Sequence, residues 1–213
     1  LTVSRGNCMS STQHRVYVQP SICYCNELNF DVSSETIFTD TQWDGVVKYI
    51  LHDLTINPNV TLTLKNCILH FGPSGRLIVS EGAKLVSLAA TFTSFELEPD
   101  CDHMWQGIEV YGTPGNEIAS GSVEISEPSI IRNAHIGVLL GKRNMEFSCS
   151  QLNSNFNPYI TSSSGGQLFI SSENVFFENN GTDIRFVEPP VGTCLHSSLI
   201  KYAHFVCTAP LLD

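Results

Sequence analysis

The sequence predicts an all-β chain wound as a right-handed parallel β-helix, that is a β-solenoid, with a disulfide-containing N-terminal cap. Three observations carry the expectation. Short β-like runs closed by Gly, Asn or Pro recur without any long amphipathic helical pattern, apolar positions return every 23 residues, and eight cysteines sit in a chain of 213 residues of which only 15% are charged.

The repeat is the most informative of the three. Residues 54–71 overlie residues 77–94 at a shift of 23, so that Ile56 meets Val79, Val60 meets Ala83, Leu62 meets Leu85, Cys67 meets Ala90 and Leu69 meets Phe92. A shift of 45, read as about two turns, sets Val123 and Ile125 over Leu168 and Ile170, and Ile130 and Ile131 over Val175 and Phe176. A shift of 69, read as three turns, sets the run from Ser129 to Ala134 over that from Ser198 to Ala203. One such repeat cannot bury its apolar side alone, whereas stacked coils about 4.8 Å apart turn the repeated positions into one interior. The expected interior includes Ile56, Leu62, Leu64, Val79, Leu85, Ile108, Val110, Val123, Ile125, Ile130, Leu168, Ile170 and Val175. An antiparallel sandwich also uses many short strands, and the fixed beat argues against it.

Residues 1–45 do not keep the beat and are read as an N-terminal cap and lead-in. Residues 46–213 form the β-helix domain, with departures near 95–105 and 141–165 that project as loops. A cap is expected because an uncovered end strand exposes unpaired N–H and C=O groups.

Eleven Lys and Arg against twenty-one Asp and Glu give a net charge of −10, which repels nucleic-acid backbones and anionic headgroups. No apolar run of 18 residues is present, so no helical membrane insertion is expected. The even cysteine count points to an oxidised, exported protein. The disulfide candidates are Cys8, Cys23, Cys25, Cys67, Cys101, Cys149, Cys194 and Cys207, with the first three holding the cap and Cys67–Cys101 one pairing considered. The absence of a positively charged, then apolar, leader at Leu1 suggests a mature or excised product.

The runs 61–71, 77–85 and above all 101–112, with its Trp105-Gln-Gly-Ile-Glu-Val110, resemble right-handed parallel β-helix (pectin-lyase-like) domains of Bacteroidetes-type secreted or surface proteins. Residues 130–137, in which Asn133-Ala134 precedes Gly137, are similar to a phrase of the same group. The resemblance covers about residues 43–205 and implies export, a bacterial secreted or cell-surface location and a repetitive scaffold. It implies no reaction, because the fold hosts unrelated functions.

Candidate recognition residues are Trp105, Asp102, His103 and Glu109: an indole suited to stacking on a sugar face, or equally to covering the edge of the solenoid just before Gly107, with polar groups near it. Glu96, Glu98, Asp100 and Asp102 offer oxygen ligands for calcium, the one ion considered, but lack the EF-hand spacing. No cofactor is expected. A β-helix lyase or hydrolase would draw on Asp102, Glu109, Lys142, Arg143 and Glu146, and no spacing among these forces convergence. Asn59-Val-Thr61 and Asn180-Gly-Thr182 are formal N-glycosylation sequons, which the bacterial resemblance reads as turn residues. The functional expectation is a non-catalytic extracellular scaffold or adhesion-like module recognising glycan or protein, with a polysaccharide lyase or glycoside hydrolase as the alternative.

Overall fold

The computed structural model describes residues 34–95, 103–113, 116, 119–142, 165–187 and 198–208, together with the backbone of two strands near the N-terminus. Those two, β1 (Thr2–Arg5) and β2 (Cys8–Ser11), pair antiparallel within the unit Leu1–Phe30. The second unit runs from Asp31 to Asp213.

Among the described residues this unit is all β and holds three parallel sheets of six strands each. Sheet I contains β3 (Glu35–Ile37), β6 (Asp53–Ile56), β9 (Arg76–Val79), β12 (Gly107–Val110), β15 (Ile136–Leu140) and β18 (Thr182–Phe186). Sheet II contains β4 (Thr41–Asp44), β7 (Thr61–Lys65), β10 (Lys84–Leu88), β13 (Ser122–Ile125), β16 (Gln167–Ile170) and β19 (Leu199–Ile200). Sheet III contains β5 (Val47–Ile50), β8 (Ile68–Phe71), β11 (Thr91–Ser94), β14 (Ser129–Arg132), β17 (Val175–Glu178) and β20 (Ala203–Val206). The chain visits the sheets in the order I, II, III and then returns to I one coil further on, which makes the unit a parallel β-solenoid. The antiparallel sandwich is thereby rejected.

Each sheet alternates side chains inward and outward, and the inward positions stack coil on coil. In sheet I the ranks run Leu54–Leu77–Ile108–Val138 and Ile56–Val79–Val110–Leu140, all fully buried. In sheet II they run Leu62–Leu85–Val123–Leu168, and in sheet III Leu69–Phe92–Ile131–Phe177. The bends rely on left-handed backbone. Gly45, Asn66, Ala89 and Tyr202 lie between sheets II and III with φ of 64°, 49°, 64° and 63°, while Asn133 and Asn179 lie between sheets III and I. Asn tolerates this conformation better than most side chains, which accounts for its recurrence at bends.

The 23-residue beat holds between the second and third coils, where Leu54 pairs with Leu77, Leu62 with Leu85 and Leu69 with Phe92. Elsewhere three expectations are corrected. Val123 does lie on Leu168, but as directly paired neighbours, so the 45-residue spacing is one coil enlarged by an insertion rather than two turns. Ile130 lies on Phe176 and Ile131 on Phe177, one residue out from the sequence alignment, so Ile131 is interior and Ile130 faces outward, half-buried. Because side chains alternate, that slip of one residue exchanges the faces. Ile200 lies on Ile170 of sheet II, not on residues of β14, because another insertion precedes β19. The stack itself opens at Glu35, which pairs with Leu54.

Cys67 carries a free, buried thiol 3.1 Å from Lys65 O and stands in the interior cluster next to Ala90. The Cys67–Cys101 pairing is therefore corrected: Cys67 is a free thiol that acts as a small inward residue at a bend, and Cys101 lies outside the described residues. Cys207 is exposed. The side chains of Cys8, Cys23, Cys25, Cys101, Cys149 and Cys194 lie outside the described residues, and no disulfide is found among those described.

The two ends of the stack differ. At the first coil Ile37 and Ile50 remain in the core, but three inward positions hold Glu35, Trp43 and Lys48, where Leu54, Leu64 and Leu69 stand one coil later. Lys48 Nζ lies 2.6 Å from Glu35 Oε1 and 4.0 Å above the Trp43 ring, so an ion pair and a cation–π contact close that end with groups that tolerate water. At the last coil the inward ranks end on Ile184, Ile200 and Phe205, the last two 37% and 54% exposed.

The corrected register of β14 is testable by truncation. Ile131→Ala should cost about 2–5 kcal/mol as a buried cavity, and the neighbouring Ile130→Ala should cost less than about 1 kcal/mol, in urea denaturation of the full chain. Equal losses at the two positions would contradict the register.

Candidate functional site

The densest polar constellation lies on the outward face of sheet I. Asp53 on β6 and Arg76 on β9 are paired neighbours one coil apart, and their side chains meet through two bonds, Arg76 Nε to Asp53 Oδ1 at 2.9 Å and Nη2 to Oδ2 at 2.6 Å. The third guanidinium nitrogen, Nη1, stands 3.6 Å from Glu109 Oε1 on β12. Glu109 is fully buried although its position faces outward between Ile78 and Leu139. The Tyr111 hydroxyl donates to Glu109 Oε2 at 3.3 Å, and Lys142 Nζ lies 5.1 Å from the Tyr111 ring centroid.

Backbone geometry permits this approach at one position in particular. Gly107 has φ of 101°, and a Cβ there would stand 1.6 Å from Ile136 O, so only glycine lets β12 run this close to β15. The segment 105–110 is thus a strand lead-in with each residue assigned: Trp105 inside, Gln106 donating to Pro73 O at 2.7 Å, Gly107 at the close approach, Ile108 and Val110 inward, Glu109 outward.

The electrostatics make a closed circuit. The bond to Asp53 is the main cause that holds Arg76 well above its ordinary value, with burial opposing and Glu109 adding to the rise. Burial is the main cause that raises the Tyr111 phenol above its usual value near 10, followed by the charge of Glu109. The phenol stays protonated and donates, the guanidinium stays charged, and the two carboxylates accept from them. Coils two, three and four are tied together by these contacts, with Glu109 Oε1 held toward Arg76 by charge at 3.6 Å rather than by a hydrogen bond between the two.

The sequence-derived candidates fall differently. Trp105 is fully buried, stacks on Phe71 with centroids 4.3 Å apart and planes 12° apart, and donates Nε1–H to Arg132 O at 2.8 Å. Its ring has no face left for a sugar, so the expected recognition role of Trp105 is corrected to a core role. The reason lies in inward/outward alternation, which put the indole on the interior side of the lead-in. His103 is half-buried at the start of the same segment. Glu96, Glu98, Asp100 and Asp102, with the calcium expectation they carried, lie outside the described residues, as do Arg143 and Glu146. Among the described residues no group of three His, Cys, Asp or Glu could hold a metal ion. Glu109 and Lys142 are brought together around Tyr111, but Asp53, Arg76 and Tyr111 were not singled out. A signal for two of them existed: Asp53 and Arg76 are opposite charges at one-coil spacing, and the 23-residue shift superimposes them.

A second surface lies on the outward face of sheet III. Val47, Ile68, Thr91, Ile130, Phe176 and His204 form one rank across it. Val47, Tyr49 and Ile68 are exposed by 52%, 42% and 39%. Tyr49 stacks on His70 at 4.9 Å and 13°, with Phe95 edge-on to Tyr49 at 5.1 Å, and Phe176 stacks on His204 at 4.8 Å. Apolar and aromatic side chains thus gather on an outer face where polar ones are the norm.

The fold and these faces define the chain as a parallel β-solenoid. Comparison with protein-family profiles, with curated proteins and with solved structures gives no match. No helix among the described residues is long and apolar enough to cross a membrane.

Two outcomes follow from the Arg76 cluster. Arg76→Ala removes the cation that faces both Asp53 and the buried Glu109 and should cost about 3–5 kcal/mol, part of which Glu109→Gln in the same chain restores, in a denaturation double-mutant cycle. The raised Tyr111 value makes stability full below pH near 10 and lost as pH rises beyond it, because the unfolded chain releases its phenol proton first. Tyr111→Phe should flatten that alkaline loss of melting temperature, and an unchanged slope would show that other groups cause it.

Proposed function

We propose that the chain is a non-catalytic extracellular or cell-surface scaffold and adhesion-like module whose outward face of sheet III engages a partner. One observation carries the reading: the exposed Val47, Tyr49 and Ile68 form a continuous apolar and aromatic patch on a rigid face of stacked strands. Tyr49 and His70 each spend one ring face on the other, and the exposed Val47 and Ile68 beside them are aliphatic, which favours an apolar protein contact over sugar stacking. Secretion, a bacterial source, disulfides among the cysteines beyond Cys67, glycan recognition and the pectin-lyase-like affinity belong to the same proposal and rest on composition and resemblance. Right-handed winding belongs to it as well, on the general handedness of parallel crossover connections.

A second reading has one observation in its favour, the gathering of Glu109, Tyr111 and Lys142, which are groups able to move protons. It makes the chain a β-helix polysaccharide lyase or hydrolase. The closed pairing of Glu109 with Arg76 and Tyr111 supports the scaffold reading instead, since a catalytic carboxylate has to meet its substrate.

A binding screen of the full chain against extracellular proteins and a glycan array, run beside depolymerisation assays on acidic and neutral polysaccharides, separates the readings. The expected outcome is protein binding without product formation. Tyr49→Ala combined with Ile68→Asp should weaken it at least about tenfold while the circular dichroism spectrum is unchanged. Polysaccharide turnover that disappears with Glu109→Gln would replace the scaffold by the enzyme.

A further inference from the structure

The two sequon asparagines occupy bends of opposite character. Residues 57–60 form a tight turn closed by Val60 N–H to Asn57 O at 3.2 Å, with Pro58 second and Asn59 third at φ 61°, the residue pattern of a type II turn. Asn59 is exposed, and among the described residues no hydrogen bond engages its side chain. Gly82 occupies the matching bend of the next coil, at φ 72° in a turn closed by Ala83 N–H to Ser80 O. A Cβ at Gly82 would stand 2.7 Å from Asn59 Oδ1, so the glycine leaves room for the amide above it. Thr61, which completes the sequon, begins β7 on the outward, half-buried side.

Asn180 is 9% exposed and fully engaged. Its Oδ1 accepts from Ala134 N at 2.9 Å, and Nδ2 donates to Ile131 O and to Asp183 Oδ1, both at 3.0 Å. Both amide protons are in use, one toward the Asp183 carboxylate, whose own value burial raises. A sugar on Nδ2 removes one of those protons and needs space that the bend between β17 and β18 does not have.

We propose that Asn59 is an acceptor of an N-linked glycan and that Asn180, despite its equally good sequon, is reserved for holding the bend. The inference rests on the export part of the proposed function and departs from its bacterial part, under which both sequons are turn residues only. The co-reactant is an oligosaccharide carried on a lipid pyrophosphate. Asn59 Nδ2 bonds to the anomeric carbon, the carbon–oxygen bond to the pyrophosphate breaks, the lipid pyrophosphate leaves with that electron pair, and one amide proton passes to a base of the transferase. The exposed turn presents the nitrogen, and the glycan then projects from the corner between sheets I and II, away from the outward face of sheet III.

The test expresses the full chain behind a cleavable leader in a eukaryotic secretory host and reads the secreted, folded protein by intact mass before and after peptide-N-glycosidase. The imposed route separates this proposal from the export reading, which is tested by where the native host places the protein. One glycan is expected on the unaltered chain, none on Asn59→Gln or Thr61→Ala, and one still on Thr182→Ala, which destroys the second sequon without touching the bonds of Asn180. A secreted chain bare at Asn59, or a glycan that survives Asn59→Gln and vanishes with Thr182→Ala, would overturn the assignment.

Discussion

The structure depends on one constraint: each coil has three short strands, and the inward side chains of those strands are dry only when another coil lies directly on them. Leu77 needs Leu54 on one side and Ile108 on the other, as Phe92 needs Leu69 and Ile131. A fully buried aliphatic or aromatic side chain contributes about 1.5–3 kcal/mol relative to an exposed one, and the parallel backbone ladder holds the ranks in line. A slip of one residue in any strand would invert its faces, so the ladder and the apolar ranks enforce each other.

That mutual enforcement explains where irregularity is allowed. The spacing lengthens at 95–105 and 141–165 among others, and the described strands on either side remain in register. Ile125 still lies on Ile170 although the coil between them is nearly twice the length of the regular one. It also explains the ends. Three inward positions of the first coil hold Lys48, Glu35 and Trp43 beside the buried Ile37 and Ile50, whereas in the last coil Phe205 stacks on Phe177 and is still half exposed.

Outward faces are free of this constraint and have diverged from one another. Sheet I carries a connected ionic chain through Asp53, Arg76, Glu109 and Tyr111, which adds ties between coils while fixing its charges internally. Sheet III carries an apolar and aromatic row that its own coils do not cover. Surfaces that the fold leaves unused are where recognition is free to evolve on a repetitive scaffold, because the interior does not change when they do.

The parallel solenoid, the 23-residue register of the second and third coils and most of the interior were legible in the sequence, because a side chain that must be buried in every coil leaves a periodic trace. Periodicity becomes unreadable once insertions stretch the coil, and there only the paired backbone decides: it made the 45-residue spacing a single coil, moved Ile131 inward in place of Ile130, and set Ile200 on Ile170. The site was less legible than the fold. Trp105 reads either as a sugar-stacking anchor or as a cover for the solenoid edge and proves to be core, stacked on Phe71, because one residue of phase separates the two faces of a strand. Arg76 reads as one cation among eleven and proves to be the centre of a cluster assembled from three coils. Sequence thus determined which residues had to be hidden, since hydrophobicity is a property of each residue; tertiary structure decided which polar residues meet, since that depends on how many residues the chain spends in returning to the same face.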